Sequence, residues 1–469
     1  MHRRLHGRAG YRKVAGVTLT AALGLAAVAA CSSSSTTSGS SNGASAGGHV
    51  TVSGFCAPPS SSPVPYKEWN EDVATFEKAN PNITIGSIYS AQCDVPAVLT
   101  AQLAAGTEPE VYETYFGDLD QALDAGQAAD ITPYVNSTTV PVWKDIVPSA
   151  IAPVTAGKTL YGIPIFNYTQ GLVINRQLFT QAGLNPNTPP TTWAQVETDA
   201  TAITKLGNGI YGYGDYSAGN NGGWHFTSEI DANGGAMTNA AGTTASFDTA
   251  AGTAVLQALH TLRFTDKAMS PTQALAWGTL QKQMASGKLG MYIAAPDDIY
   301  QVIVPIDNGN IADYGMGPLP SVSGTPAGTL SGGDAYLFAK RDTPAQIAAG
   351  IKWINFQDLT LGQGLYNLAR NKAVGLPVGF YEPQMFQGAT GTAYTALLNK
   401  YTTINESYYS TFVNANETPD GQPADDQALY KSLDPVMLAV LTNPNANIPS
   451  LLAGATTAVN QILANSSGG

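Results

Sequence analysis

Hydrophobic and polar positions along this chain alternate between two periods, and each change of period marks an element. In "HVTVSGF" (49–55) the alternation is that of a strand with two unlike faces. "PYKEWNEDVATFEKA" (65–79) then sets Trp69, Val73 and Phe76 at i, i+4 and i+7, one face of a helix. "NITIGSI" (82–88) is β-branched and alternating, "VPAVLTAQLAAG" (95–106) is helical and stops at a glycine, and "EVYETYF" (110–116) is a third strand. Strands separated by helices predict parallel pairing, because a helical crossover brings the chain back in the same direction.

Further along the pattern loosens. "YGIPIFNYTQGLVINRQLF" (161–179) predicts two short strands, and "TPPTTWAQVETDATAITKLG" (188–207) opens on Pro and Thr and continues as a helix. "YGYGDYSAGNNGGW" (211–224) is a glycine- and aromatic-rich loop leading into a helix that begins near Trp224 and ends at Gly234-Gly235. "GTLQKQMASGKLGMYIAAPDD" (278–298) predicts helix, turn, strand and an acidic loop, and "TPAQIAAGIKWINFQDL" (343–359) another helix. No tandem repeat of fixed period is present.

The first 48 residues have a different character. Arg3, Arg4, Arg8, Arg12 and Lys13 precede an apolar or small stretch, Val14 to Val28, that is short and diluted for a spanning helix of ~20 residues. This is the form of an export signal, 1–30. Val28-Ala29-Ala30-Cys31 resembles a bacterial lipobox, which implies lipid modification of Cys31 and cleavage before it. Residues 31–48, rich in Ser, Thr, Gly and Ala, then make a disordered tether that holds the folded part clear of the bilayer. The competing reading is an ordinary signal peptide in which Cys31 is incidental.

Composition narrows the rest. About 420 residues remain, enough for two or three cores, and 43% of the chain is hydrophobic. The formal charge of −12 becomes −17 without the basic leader, which argues against nucleic acid and anionic lipid as partners. With Cys31 lipidated, Cys56 and Cys93 are an even pair in an oxidising compartment. Both follow strand ends on what is expected to be one edge of a parallel sheet, so a disulfide closing a loop of 38 residues is expected, with two buried free thiols as the alternative.

Catalytic signatures are missing. There is no G-x-S-x-G, H-E-x-x-H or P-loop, no Cys/His cluster with zinc spacing, and the chain after Cys31 has only His49, His225 and His260. No cofactor or metal is expected. A carboxylate pair of the glycosidase kind stays open, since any two of 34 acidic residues can meet in space. Loops near strand ends are instead rich in aromatics and amides. Flat rings plus Asp, Asn, Glu and Arg are what a sugar, with its C–H faces and hydroxyl rims, requires.

Several segments resemble the extracellular solute-binding proteins of family 1, the maltose-binding-protein-like lipoproteins of ABC importers. They are "FEKANPNITI", "LTAQLAAGTEPEVYE", "DAGQAADITPYV", "LYGIPIFNYTQGLVINRQLFTQAGLNPNTPPTTWAQV", "ASGKLGMYIAAPDDI" and "GMGPLPSVSGTPAGTLSGGDAYLFAKRDTPAQIAAGIKWI". Two departures stand out: Ile174 where Tyr is usual, and Asp297-Asp298 where an aromatic is usual. The resemblance implies an α/β, type II two-lobed fold, each lobe a mixed sheet flanked by helices, with ligand in the cleft. It places an N-lobe at 49–165 and 334–380 and a C-lobe at 166–333 and 381–469, with strands crossing between lobes near Ile163–Tyr168 and Ser331–Asp334.

The same resemblance points to cleft positions: Tyr115, Phe116, Asp118, Asn167, Tyr168, Trp224, Asp297, Asp298, Gly333 and Asp334. Each has a structural alternative. Trp224 suits a core, Asp118 suits a helix cap, and Asp297 and Asp298 suit caps of a helix from Ile299. Trp277 reads as core and Arg370 as a surface or ion-pair residue. The function implied is capture of a carbohydrate outside the membrane and delivery to ABC permease subunits by a monomeric, lipid-anchored protein that performs no chemistry. The alternatives are a secreted glycan hydrolase and a ligand sensor for a membrane receptor.

Overall fold

β1 (Val50–Cys56) and β2 (Ile83–Ile88) form where the alternation predicts strands. They pair in parallel, from Val50 opposite Ile83 to Cys56 opposite Ile88. Between them the Pro63–Ala79 helix buries Trp69 and Phe76, the face set by their spacing. This is a computed structural model, and it describes residues 48–89, 93, 96–379, 385–415 and 418–466. Cys31, the export signal and nearly all of the tether lie outside the described residues.

β3 (Val111–Tyr115) follows the Pro96–Ala105 helix. A small hairpin of β4 (Thr155–Ala156) and β5 (Thr159–Leu160) leads into β6 (Gly162–Thr169), and Gln170 alone separates β6 from β7 (Gly171–Asn175). β8 (Tyr211–Tyr213), β9 (Leu289–Ala294), β10 (Tyr314–Gly317), β11 (Thr329–Phe338) and β12 (Pro419–Gly421) complete the strands. Four of them form one mixed sheet in the order β10–β7–β9–β8, with only β8 and β9 parallel.

β11 connects the remainder. One edge pairs antiparallel with β6, from Ser331 opposite Thr169 to Leu337 opposite Gly162. The other edge takes β12 over Thr329–Ser331 and β3 over Asp334–Phe338. The ladder of β3 is thus antiparallel and to β11, a partner from outside the three strands expected to run parallel. β1 reaches β3 through a bulge at Gly54, whose φ is 115°. A Cβ there would sit 1.8 Å from the Val111 carbonyl oxygen, so only glycine permits the approach.

The chain builds hydrophobic cores from two sets of segments. One set draws on residues 52–163 and 335–359 together with Met385 and Phe386; the other draws on 172–319 and 404–463. β6 and β11 join them: Ile163 and Ala335–Phe338 lie in the first core, and β6 runs directly into Leu172 of the second. The segment after residue 380, expected in the second lobe, begins in the first. Phe386 packs there, and Tyr394 of the Gly388–Tyr401 helix closes on Phe386 and Tyr366 at ring distances of 6.1 and 5.2 Å.

An aromatic cluster centres the first core. Trp353, on the Pro344–Ile354 helix, meets Phe76 at 5.2 Å, Trp69 at 5.4 Å and Phe55 at 6.0 Å, each edge to face. That geometry sets the positive ring edge against the negative face. Cys56, the last residue of β1, is disulfide-bonded to Cys93 beyond β2, as the strand-end argument expects. Arg370 is an ion-pair residue, with its guanidinium on Glu68 and Asp72. Among the described residues no helix is long and apolar enough to cross a membrane.

Candidate functional site

The β3–β11–β6 ladder sets which side chains converge. Tyr115 stands opposite Asp334, and Asp334 opposite Phe166. Paired residues share a face and successive residues alternate, so Tyr115, Asp334, Phe166 and Tyr168 lie on one side. The Phe166 and Tyr168 rings are 6.1 Å apart. Opposite Tyr168 is Gly332, where a Cβ would meet the phenol oxygen at 2.3 Å; the missing side chain is the space that Tyr168 fills.

Phe116, Asn167 and Gly333 fall on the other side. The Phe116 ring covers Gly333, where a Cβ would lie 2.5 Å from it. An open hollow of about 620 Å³ borders this side, lined by Phe116, Asn167 and Ser331 with Pro419, Gly421 and Gln422. The expected cleft residues therefore divide between two faces of the crossing strands. A one-residue step reverses the face, and the motif alone does not say which parity points to the ligand.

Trp224 is brought to the Tyr168 face by the Asn221–Ala232 helix, and its indole meets the Tyr168 ring at 6.1 Å, edge to face. It is half-buried against the second lobe's core, and its buried indole N–H is turned to the Tyr168 hydroxyl. The preceding "NNGG" has two structural uses. The backbone N–H groups of Asn220, Gly222 and Gly223 donate to the Asp434 carboxylate at 2.7, 3.0 and 3.3 Å, a cap supplied by the distant Asp426–Thr442 helix. At Gly223 a Cβ would lie 2.4 Å from the Tyr430 Cα, so glycine lets the two helices touch. Behind the indole, His225 Nδ1 is 2.7 Å from Asp215 and its ring is 4.6 Å from Tyr216.

The two adjacent aspartates differ. Asp298 is buried and accepts hydrogen bonds from Tyr292 at 2.8 Å and Gln281 at 2.9 Å, which tie it into its own lobe. Asp297 is partly open, and its buried Oδ1 has no partner. Neither carboxylate caps the turn that follows. Asp118 is buried beside Asp426, so a carboxyl from the first lobe adjoins one from the second, an arrangement that requires a shared proton. A small void of about 20 Å³ connects Asp118, Tyr115 and Glu113 to Cys93, which puts the disulfide at the edge of the site. Trp277, read as core, is 44% exposed; its backbone N–H donates to Asn221 at the start of the Trp224 helix.

Burial dominates the electrostatics. It raises Asp118 well above the carboxylate range, helped by Asp426, and raises Asp334, helped by Glu113 and Asp297. Burial likewise raises Asp297, with Asp298 adding to it. Asp426 is pushed up to about 6. Asp298 is also pushed up to about 6, burial being partly offset by its hydrogen bonds. Asp231 is pushed up to about 8 by burial and by Asp420. The folded state thus holds protons that the unfolded chain, with Asp near ~3.9, releases. Stability is fully present below the unfolded value and falls as pH rises through the folded values. The melting temperature of ligand-free protein should decline between about pH 5 and about pH 8, and calorimetric scans across that range check it.

Sequence reasoning missed Glu113, Phe166, Asp426, Tyr430 and Asp434. The last three carried a legible signal. They recur every four residues along one helix, the spacing of a stripe turned toward one neighbour.

Two cores joined by paired crossing strands, with aromatic and acidic side chains from both gathered at the junction, define a two-lobed α/β fold of the periplasmic-binding-protein kind. The chain belongs to the bacterial extracellular solute-binding proteins, whose family profile matches residues 60–357. Over 152 residues it is 30% identical to a putative binding protein of Brucella abortus (strain 2308), covering 32% of this chain and 35% of that relative, so the match spans about a third of that protein's length. Among solved structures it is similar to an ABC transporter solute-binding protein from Thermotoga lettingae bound with α-D-tagatose (TM-score 0.71, 19% identity, covering 88% of this chain and 99% of that one). It is also similar to the GacH receptor of Streptomyces glaucescens (TM-score 0.67, 19% identity, 88% and 98% covered), which was solved unliganded and with acarbose. A third is a cyclic α-maltosyl-1,6-maltose binding protein from Arthrobacter globiformis (TM-score 0.63, 20% identity, 89% and 100% covered). At these identities the likeness is one of fold.

Proposed function

We propose that this chain is the substrate-binding lipoprotein of an ABC importer, which captures a carbohydrate outside the membrane and passes it to a permease. The observation that carries this reading is the half-buried indole of Trp224. It stands edge to face with Tyr168, one ring from each side of the lobe junction, and Asp334, Asp297 and Asp426 lie near the Tyr168 hydroxyl. An aromatic platform with acceptors at its rim matches a pyranose face and its hydroxyls. The saccharides bound by the proteins from Thermotoga lettingae and Arthrobacter globiformis are consistent with it. Tyr115, Asp334 and Asp297 complete the contacting set, with Asp118 beside the lobe-spanning pair. Asn167, Gly333 and Phe116 act from behind, by shaping the crossing strands. A ligand touching both lobes binds the closed form better than the open one and so shifts the population toward closure.

Titration calorimetry of the processed protein against mono- and oligosaccharides tests the reading. One of them is expected to bind and to be recovered chemically unchanged; turnover of excess ligand would move the protein to the hydrolase class. Anchoring is tested by Cys31→Ala, which is expected to release the protein to the medium or leave an uncleaved precursor. A correctly cleaved mutant still in the membrane fraction sinks the lipoprotein assignment.

A further inference from the structure

The junction brings together several carboxyl groups. Asp334 lies on β11, with Glu113 on β3 acting on it from one side and Asp297, following β9, from the other. Asp118 follows β3, and Asp426 starts the Asp426–Thr442 helix. Tyr168 is the common neighbour, since Asp334, Asp297 and Asp426 all act on its hydroxyl. Among the described residues, no Lys or Arg contributes at Asp118, Tyr168, Asp297, Asp334 or Asp426. The arginine–carboxylate pairs are elsewhere, Arg370 on Glu68 and Asp72 and Arg341 on Glu108. His225 faces Asp298 but is engaged by Asp215.

A second observation is independent of charge. Asp426 is 0% exposed and has Gln427 as well as Asp118 for a partner; Asp118 is 4% exposed, and apart from Asp426 its buried Oδ1 has no hydrogen-bond partner. The Tyr430 hydroxyl, 1% exposed, lies between Asp426 and the Gln422 side chain. Buried polar atoms are nearly always paired, and leaving one unpaired costs ~1–3 kcal/mol. Here the unpaired atoms, Asp118 Oδ1 and Asp297 Oδ1, are acceptors at the place where the lobes meet. What would satisfy them is a donor, and a charged donor would also cancel their mutual repulsion.

We propose that the cleft takes a positively charged ligand, a saccharide carrying a protonated amine; this rests on the carbohydrate reading above and narrows it. The rings hold the sugar face, and the amine sits among Asp334, Asp297 and the Asp118–Asp426 pair. The ligand must displace protons from these carboxyls, so binding releases protons and strengthens as pH rises, up to the point where the amine itself deprotonates.

The test is calorimetry of the processed full-length protein with matched sets of probes. Glucosamine and galactosamine, as monosaccharides and as β-1,4 disaccharides, are compared with their N-acetyl and neutral counterparts. Spermidine serves as an amine without a ring. An amino sugar should bind about tenfold or more tighter than its N-acetyl and neutral counterparts, and the gap should widen between about pH 5 and about pH 7. Asp334→Asn and Asp297→Asn, each checked by thermal melt, should shrink the gap, read as the ratio of amino-sugar to neutral-sugar affinity within each variant, to about threefold or less; an unchanged ratio in both variants overturns the proposal. Neutral or N-acetyl sugars binding as tightly as the amines overturn this proposal and leave the carbohydrate reading in place. Spermidine binding without any saccharide supports the charge and overturns the carbohydrate reading. Failure of every amine probe to bind overturns the proposal.

Discussion

Trp224→Ala is expected to weaken ligand affinity by roughly 5- to 150-fold, the equivalent of ~1–3 kcal/mol for a ring stacked on a sugar face. The structure argues for that size in two ways. Trp224 is held from behind, by the helix that Asp434 caps and by the neighbouring His225 ring at 5.1 Å, so its orientation is fixed before ligand arrives. It is also only half-buried, so its removal opens the cleft rather than a core cavity. Stability should therefore fall by much less than the ~3–5 kcal/mol expected for a fully buried tryptophan. Trp353, 0% exposed and met by three aromatic rings edge to face, is the internal comparison for such a loss. Calorimetry and a melt on Trp224→Ala and Trp353→Ala together distinguish the roles: the first should lose affinity, the second stability. Equal stability losses in both would return Trp224 to the core.

Removing the Cys56–Cys93 bridge, by reduction or by Cys56→Ala with Cys93→Ala, should lower unfolding free energy by ~2–4 kcal/mol in the chain-entropy account. The bridge closes a loop across a sequence separation of 37, and that loop contains the Pro63–Ala79 helix with Trp69 and Phe76. Its loss frees the unfolded chain and also loosens the hollow that Cys93 shares with Glu113, Tyr115 and Asp118. Ligand affinity should drop along with stability. Denaturant unfolding of oxidised and reduced protein measures the first effect, and calorimetry under the same two conditions the second. A bridge-free protein with an unchanged denaturation midpoint would refute the assignment of a stabilising role.

Periodicity carried most of the fold. The strands at 49–55, 82–88 and 110–116 and the face made by Trp69 and Phe76 could be read directly, because burial on one side leaves a period in the sequence. The antiparallel partner of β3 could not, since β11 lies more than 200 residues away and strand direction leaves no local trace. The order of motifs identified the family, and it named residues at the lobe junction. It did not separate Asn167 from Tyr168, or Asp297 from Asp298, because facing depends on register and on neighbours such as Tyr292 and Gln281. The second lobe's share, Asp426 and Tyr430, has a regular spacing but an ambiguous one: acids on an amphipathic helix ordinarily mark its solvent side, and here they mark the side turned inward.

The cap on the Trp224 helix has a consequence for how the protein is made. Asn220 and Asp434 are separated by 214 positions, and Asp118 and Asp426 lie still further apart in the chain. A chain emerging N-terminus first exposes its β1–β2 unit, its crossing strands and Trp224 long before the residues that fix Trp224 in place. The solute site is among the last features to form, after nearly the whole polypeptide is available, as expected where local contacts form before distant ones. A polypeptide still being synthesised or threaded across a membrane therefore has no working site. On the proposed route of export, ligand in the compartment of synthesis does not stabilise a folded form early and stall the chain.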